Sequence, residues 1–236
     1  MKGVMIHMIQ MLPEAISLLF QTKGTNLKAG KGTYIFQAGT IADHLFLIKS
    51  GSVQISKETE SGKELTIQIC GEGCVIGESL IFCQCSFHTT TAKALEQANI
   101  YSLHHDVLET FLNAQPLLMV DYLTWLQTEN MKNQSRLRDL VLHGKKGALY
   151  STLIRLANTY GECRTNNEIF INIALTNTDI ANLCATSREM INRMLRDLRE
   201  KHIITVDKSY ITILDLHYLK REIECEDCPL SICRID

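Results

Sequence analysis

The chain has 236 residues, 45% hydrophobic and 21% charged, with 24 Lys+Arg against 26 Asp+Glu. This composition excludes a largely disordered or collagen-like chain, and a net charge of -2 carries no chain-wide mark of a polyanion partner. Nine cysteines, odd in number and irregular in spacing, argue against a secreted disulfide framework and for a reducing compartment with metal or redox chemistry.

The first twenty residues are rich in apolar side chains, but His7, Gln10, Pro13 and Glu14 interrupt them. No run approaches the ~18 apolar residues of a membrane helix, and no small-residue cleavage site follows, so the expectation is a cytoplasmic protein without a membrane partner. Charge is uneven: residues 1–144 carry net -2, residues 145–221 net +4 and residues 222–236 net -4. The basic segment is a modest footprint for a polyanion, and the last stretch reads as a separate acidic, cysteine-bearing unit.

From about Leu27 to Leu103, glycines punctuate short apolar or alternating runs such as Tyr34-Ile35-Phe36, Leu45-Phe46-Leu47-Ile48, Val53-Gln54-Ile55 and Leu65-Thr66-Ile67-Gln68-Ile69. Strands at that spacing predict a barrel, jelly roll or sandwich, with a hairpin turn at Glu60-Ser61-Gly62-Lys63. From Asp106 the pattern becomes helical. Pro116 suits the first turn of a long helix. Met119, Leu123, Leu126, Asn130, Asn133, Leu137 and Leu140 then recur in steps of four and three, the a/d spacing of a dimer seam in which the two asparagines would set register. The simpler alternative is one helix lying on its own β-domain. Gly144, Lys145 and Lys146 read as the end of that helix and a hinge.

A second helical region follows from about Gly147 to Thr159, then a strand at 169–173. A short helix capped near Thr176, the turn Cys184-Ala185-Thr186, a helix capped by Ser187 and reaching about Lys201, and a hairpin around Asp207-Lys208-Ser209 together predict a winged helix-turn-helix. Arg188, Glu189, Asn192 and Arg193 lie near the start of the second helix, the part that enters a major groove. Arginine can bond guanine O6 and N7, and glutamate can accept from cytosine N4. Met190, Ile191, Met194, Leu195 and Leu198 supply the core side. The domains expected are therefore 1–106 (β-domain with an N-terminal helical segment), 107–144 (dimerisation helix), 145–221 (DNA-binding domain) and 222–236 (cysteine cluster), an α+β architecture.

Cys225, Cys228 and Cys233 form C-x2-C-x4-C with Pro229 after the second cysteine. Three thiolates this close can wrap a soft metal centre, either zinc with a fourth ligand or an iron–sulfur cluster. Candidates for a fourth ligand are Asp139, His143, Asp227, Cys184 or a small molecule. Cys70, Cys74, Cys83 and Cys85 read as strand and loop residues, Cys163 and Cys184 as structural, and Tyr122 and Trp125 as packing in the helix seam or the β-domain.

In order along the chain, the strings Gly32-Thr33-Tyr34-Ile35-Phe36-Gln37-Ala38-Gly39, Ala42-Asp43-His44-Leu45-Phe46-Leu47-Ile48, Ser50-Gly51-Ser52-Val53-Gln54-Ile55 and Gly71-Glu72-Gly73-Cys74-Val75-Ile76-Gly77-Glu78, followed by the winged helix-turn-helix, resemble the CRP/FNR family of bacterial transcription regulators. The resemblance covers most of residues 25–220. It implies a cyclic-nucleotide-binding-like β-roll (a jelly roll), a homodimer, a palindromic site on double-stranded DNA and contact with RNA polymerase. Arg188, Glu189 and Arg193 match the base-reading positions of the CRP-type helix. Asn192-Arg193 departs from the Ser-Arg pair of enterobacterial FNR, which implies a TGTGA-type half-site. His88 stands where a cyclic AMP site would place an arginine, and an imidazole does not replace a bidentate guanidinium on a phosphate, so cyclic AMP is not expected. The C-terminal cysteines resemble the Bacillus branch of FNR. That branch implies a 4Fe–4S cluster on Cys225, Cys228 and Cys233, with a carboxylate near the end of the dimer helix, Asp139, as fourth ligand. The function implied is an oxygen-responsive activator of anaerobic metabolism, not an enzyme. The alternatives are a zinc or thiol–disulfide switch, or a small effector in the roll.

Overall fold

A computed structural model describes residues 12–77, 81–82, 87–164 and 168–236. Cys83, Cys85 and Glu78 lie outside the described residues, as does most of the N-terminal apolar stretch. The described chain falls into two compact units, divided within one long helix between Gln127 and Thr128.

The first unit opens with α1 (Glu14–Lys23) and continues through β1 (Thr25–Ala29), β2 (Tyr34–Phe36), β3 (His44–Ser50), β4 (Val53–Glu58), β5 (Glu64–Cys70), β6 (Val75–Ile76), β7 (Thr91–Ala94) and β8 (Ala98–His104). These strands make two antiparallel four-stranded sheets, ordered β1-β8-β3-β6 and β2-β7-β4-β5. That is the jelly roll expected. The run Leu45-Phe46-Leu47-Ile48 is buried without alternation because β3 has a core on each face. Phe46 and Ile48 point into the roll with Phe36, Val53 and Ile100. Leu45 and Leu47 point outward onto Ile16, Phe20, Leu108, Leu112, Tyr122 and Trp125.

Gly62 has φ 78° in the expected turn between β4 and β5. Gly51 has φ 87°, and a Cβ there would fall 2.5 Å from the Gln97 carbonyl oxygen, so the turn after β3 admits only glycine.

α2 (His105–Asn113) leads into α3 (Pro116–Leu142). One stripe of α3 is buried along its length: Leu118, Tyr122, Trp125, Thr128, Lys132, Ser135 and Asp139. Tyr122 and Trp125 pack on the roll's outer core. Of the expected seam, Met119 and Leu126 are half-buried against that same core, and Leu140 is half-buried. Leu123, Asn130, Asn133 and Leu137 are exposed.

The second unit is built on α4 (Gly144–Tyr160), whose residues from Gly147 to Ala157 are all buried. The expected hinge at Gly144 is shorter than its sequence suggests: only His143 separates the two helices, and Gly144 opens α4 with φ 58°. Gly147 allows the tight junction, since a Cβ there would lie 1.9 Å from the Cβ of His143.

β9 (Gly161–Cys163), β10 (Ile169–Ile171), α5 (Asn177–Leu183), α6 (Arg188–Glu200), β11 (Ile204–Asp207), β12 (Tyr210–Ile213) and α7 (Leu216–Glu222) complete the winged helix-turn-helix, with the sheet ordered β11-β12-β10-β9. Lys208 and Ser209 both have positive φ, as a two-residue hairpin turn requires. Cys163, read as structural, is instead exposed on an outer strand, whereas Cys184 is buried. Among the described residues, no helix is long and apolar enough to cross a membrane.

Candidate functional site

Two sites emerge in the second unit. The first is the outer face of α6. Thr176 and Asp179 form a reciprocal capping box at the start of α5, and Ser187 caps α6 by accepting from the Met190 N–H. Ala185, with φ 49°, makes the turn between the two helices. Ile191, Leu195 and Leu198 are buried, which leaves Arg188, Glu189, Asn192, Arg193, Arg196 and Arg199 on the open side. The expected base-reading residues are thus presented together on the N-terminal half of one helix.

Their side chains are partly organised. Asn192 pairs with Asn177 at the start of α5. An Arg193 N–H lies 2.9 Å from the Met190 sulfur. The Glu189 carboxyl is held below its ordinary value by backbone and Ser187 hydrogen bonds, so it is a ready acceptor. Arg193 also lines a cleft with Lys145, Lys146 and Asp197, which extends the basic character of this face to the start of α4.

The second site is formed by the C-terminal segment. Sequence reasoning set residues 222–236 apart, but Ile223, Ile232 and Ile235 are buried, and the segment lies along α3 and α4. Asn158 Nδ2 donates to the Cys233 carbonyl at 2.7 Å, Arg155 donates to the Ile232 carbonyl at 3.3 Å, and the Ile235 N–H donates to Thr159 Oγ1 at 3.0 Å. Arg136 donates to the Arg234 carbonyl at 3.2 Å. The turn that presents the last thiol is closed by Cys233 N–H donating to the Pro229 carbonyl at 2.9 Å.

This docking brings Cys225, Cys228 and Cys233 to a single cleft that Asp139 and His143 also line. The other fourth-ligand candidates lie elsewhere. Asp227 is exposed and pairs with Lys220 at 2.7 Å. Cys184 is buried against Thr152, where burial pushes its thiol up to about 12.

Asp139 is held on both oxygens. Arg138 donates to Oδ1 at 3.0 Å, while Arg155 and Ser151 donate to Oδ2 at 2.6 and 2.5 Å. Burial pushes this carboxyl up, but the hydrogen bonds from Ser151, Arg155 and Arg138 outweigh it and hold it below the usual range. Arg138 also reaches Glu226 and lies 3.8 Å from the Cys228 sulfur. Burial raises the Cys233 thiol despite the opposing pull of Arg155. No sequence signal pointed to Arg155: it sits in an apolar helix and becomes notable only because Asp139 and Ser135 face it.

Among the described residues, the group whose ligating atoms all lie within 4.8 Å of one another is His104, His105 and Asp106, and it does not include the three C-terminal thiols. Ligands of one tetrahedral zinc with ~2.3 Å bonds to sulfur stand roughly 3.8 Å apart. Against that spacing, Cys225, Cys228 and Cys233 do not all bring their sulfur atoms within 4.8 Å of one another. In the roll, His88 is buried and stacked on Phe36 with ring centroids 3.9 Å apart, and burial lowers its pKa. His88 is thus an imidazole kept toward its neutral form and packed on the roll's own core.

Two family models match the chain: a cyclic nucleotide-binding domain over residues 27–115 and a Crp-like helix-turn-helix domain over residues 147–222. The anaerobic regulatory protein of Bacillus subtilis is 46% identical over 92% of both chains. The lactate racemization regulatory protein of Lactiplantibacillus plantarum is 28% identical over 84% of this chain and 90% of its own. A CRP-family regulator from Thermus thermophilus superposes with a TM-score of 0.70 at 20% identity, covering 84% of this chain and 96% of its own.

Proposed function

The chain belongs to the CRP/FNR family of transcription regulators, and from that premise we propose that it is an oxygen-responsive homodimer controlling anaerobic metabolism through a 4Fe–4S cluster at its C-terminus. As a member of that family it is a DNA-binding regulator and not an enzyme. In this reading it works in the cytoplasm, binds a TGTGA-type palindrome and engages RNA polymerase there. The observation that carries the proposal is the shared cleft of Cys225, Cys228, Cys233 and Asp139.

The donor set fits the group. Cysteine thiolates are the usual ligands of iron–sulfur clusters, and a fourth position filled by a carboxylate keeps one iron more open to attack. Arg138 and Arg155 place positive charge where thiolates and an anionic centre would need it. Asp139 can offer Oδ1, which is held by the half-buried Arg138, while Oδ2 keeps its bonds to Arg155 and Ser151. Bound there, a 4Fe–4S cluster would supply the oxygen-labile centre. The chain's part is to tie the end of α3 to the tail, and through α4 to the helix-turn-helix unit, so that the tie sets where α6 stands. Cys233, whose thiol burial raises, would have to give up its proton to serve as a ligand there.

Anaerobic purification followed by an absorption spectrum and iron and sulfide assays tests this. A brown protein that bleaches in air, and that loses its colour in Cys225→Ser and Asp139→Ala, supports the reading. A colourless protein holding zinc, or no metal after anaerobic reconstitution, overturns it.

A further inference from the structure

A second group of ligating side chains stands at the junction of β8 and α2, in the unit that does not contain the C-terminal cysteines. His104 closes β8, His105 opens α2, and Asp106 and Glu109 follow within the first turns. The change from strand to helix at this point does not splay the two imidazoles apart. Their rings stack with centroids 4.8 Å apart at 22°. β3 brings a third histidine: His44 is register-paired with His104, and the two rings meet edge to face at 5.2 Å.

The distances within the group are informative. His104 Nδ1 is 3.5 Å from Asp106 Oδ2, and His105 Nδ1 is 3.3 Å from Asp106 Oδ1 and 3.4 Å from Glu109 Oε1. A charge-assisted hydrogen bond closes to about 2.7–2.9 Å. Two ligands on a tetrahedral ion with bonds of ~2.1 Å stand about 3.4 Å apart. The imidazole and carboxylate atoms therefore keep the spacing of ligands around an ion, the His105–Glu109 pair being at the same time a long hydrogen bond of 3.4 Å. The ligating atoms of His104, His105 and Asp106 all lie within 4.8 Å of one another.

The surroundings hold these groups in place. The His105 N–H donates to the Asp43 carbonyl at 3.0 Å, and the Asp43 carboxylate lies 2.6 Å from His44 Nδ1. Glu109 Oε1 accepts from the Phe82 N–H at 3.0 Å. Asp43, Asp106 and Glu109 offset the positive potential of the α2 N-terminus, which would otherwise disfavour a cation. His104 Nδ1 accepts from the Asp106 N–H at 3.3 Å, a weak cap whose loss costs little when the nitrogen turns to a metal. With side-chain exposures of 41%, 30% and 70%, His104, His105 and Asp106 are open to a solvated ion.

We propose that His104, His105 and Asp106 bind one divalent transition-metal ion of zinc's class, with Glu109 beside them. Two imidazoles and a carboxylate are a borderline donor set suited to zinc, nickel or iron(II), and unlike the soft thiolates of the C-terminus. The site stitches the end of β8 to the first turn of α2.

The test uses the full chain carrying Cys225→Ser, Cys228→Ser and Cys233→Ser, so that the C-terminal thiols take no metal. It is titrated with zinc by calorimetry and with cobalt(II) by absorption. The expected result is one zinc per chain, a cobalt spectrum without thiolate charge transfer, and a melting temperature that rises with zinc. Adding His104→Gln and His105→Gln should weaken zinc binding at least tenfold and abolish the melting shift, while the metal-free melting temperature stays within a few degrees. Adding Asp106→Asn alone, which spares both rings, should also weaken binding. Unchanged zinc uptake in the histidine variants, or a thiolate charge-transfer band as the only cobalt signal, overturns the proposal.

Discussion

Arg155 donates to Asp139 Oδ2 at 2.6 Å, with both side chains buried, and so joins the middle of α4 to the last turns of α3. The same guanidinium donates to Ser135 Oγ at 2.9 Å and to the Ile232 carbonyl at 3.3 Å, which draws the C-terminal segment into the same network. A buried ion pair of this kind contributes little net stability against an apolar replacement, yet is costly to break from one side.

Asp139→Ala leaves Arg155 buried without its carboxylate. We expect a loss of about 3–5 kcal/mol, the range for removing one partner of a buried pair. Urea unfolding of the metal-free protein measures it. A loss under about 1 kcal/mol would mean that the pair is solvated in solution.

The same carboxyl sets an acid limb. Its folded pKa lies below the ordinary aspartate value of 3.8. Its contribution to stability is therefore fully present above the unfolded value and is lost as pH falls through the folded one. The urea midpoint of the wild type should fall more steeply than that of Asp139→Asn as pH drops below 3.8. Parallel curves would show that another group governs acid unfolding.

If α6 reads DNA as proposed, Arg188→Ala and Arg193→Ala should each weaken binding to a TGTGA palindrome by about 1–3 kcal/mol, roughly 5- to 150-fold, the worth of a bidentate arginine–guanine contact. Lys145→Ala, at the basic edge of the cleft that Arg193 lines, should instead lower the salt dependence of binding while sparing sequence preference. Fluorescence anisotropy on matched and mutated duplexes separates the two effects.

Leu123 and Leu137 are 54% and 62% exposed in the single chain, whereas Trp125 is 5% exposed. Leu123→Glu with Leu137→Glu should shift the protein from dimer to monomer in sedimentation without lowering its melting temperature. Trp125→Ala should instead cost about 3–5 kcal/mol, because it empties the roll's outer core. A dimer that survives both leucine changes would place the seam elsewhere.

Cys163 and Cys184 should differ sharply toward iodoacetamide at pH 8. Cys163 is exposed. Cys184 is buried with its thiol pushed up to about 12, which leaves about one part in ten thousand as thiolate at that pH. Peptide mass spectrometry should find Cys163 alkylated and Cys184 intact; equal labelling would show that α5 opens readily.

Local pattern determined much of this protein. The glycine-punctuated strands of the roll, Pro116 at the start of α3, the caps at Thr176 and Ser187, and the open face of α6 all follow from short-range rules of backbone geometry, turn chemistry and helical periodicity, which act within a few residues. The C-x2-C-x4-C spacing likewise singled out Cys225, Cys228 and Cys233, which the structure places in one cleft. Tertiary structure decided what depends on distant segments meeting. The double-sided burial of β3, the turn of Met119 and Leu126 toward the roll, and the docking of residues 223–235 on α3 and α4 have no local signature. Arg155 reads as an oddity in an apolar helix until Asp139 is brought to 2.6 Å, and His44 joins His104 only because β3 pairs with β8. Burial and charge pairing are properties of surroundings that the fold assembles from residues far apart in the chain, so they become visible only once the chain has closed on itself.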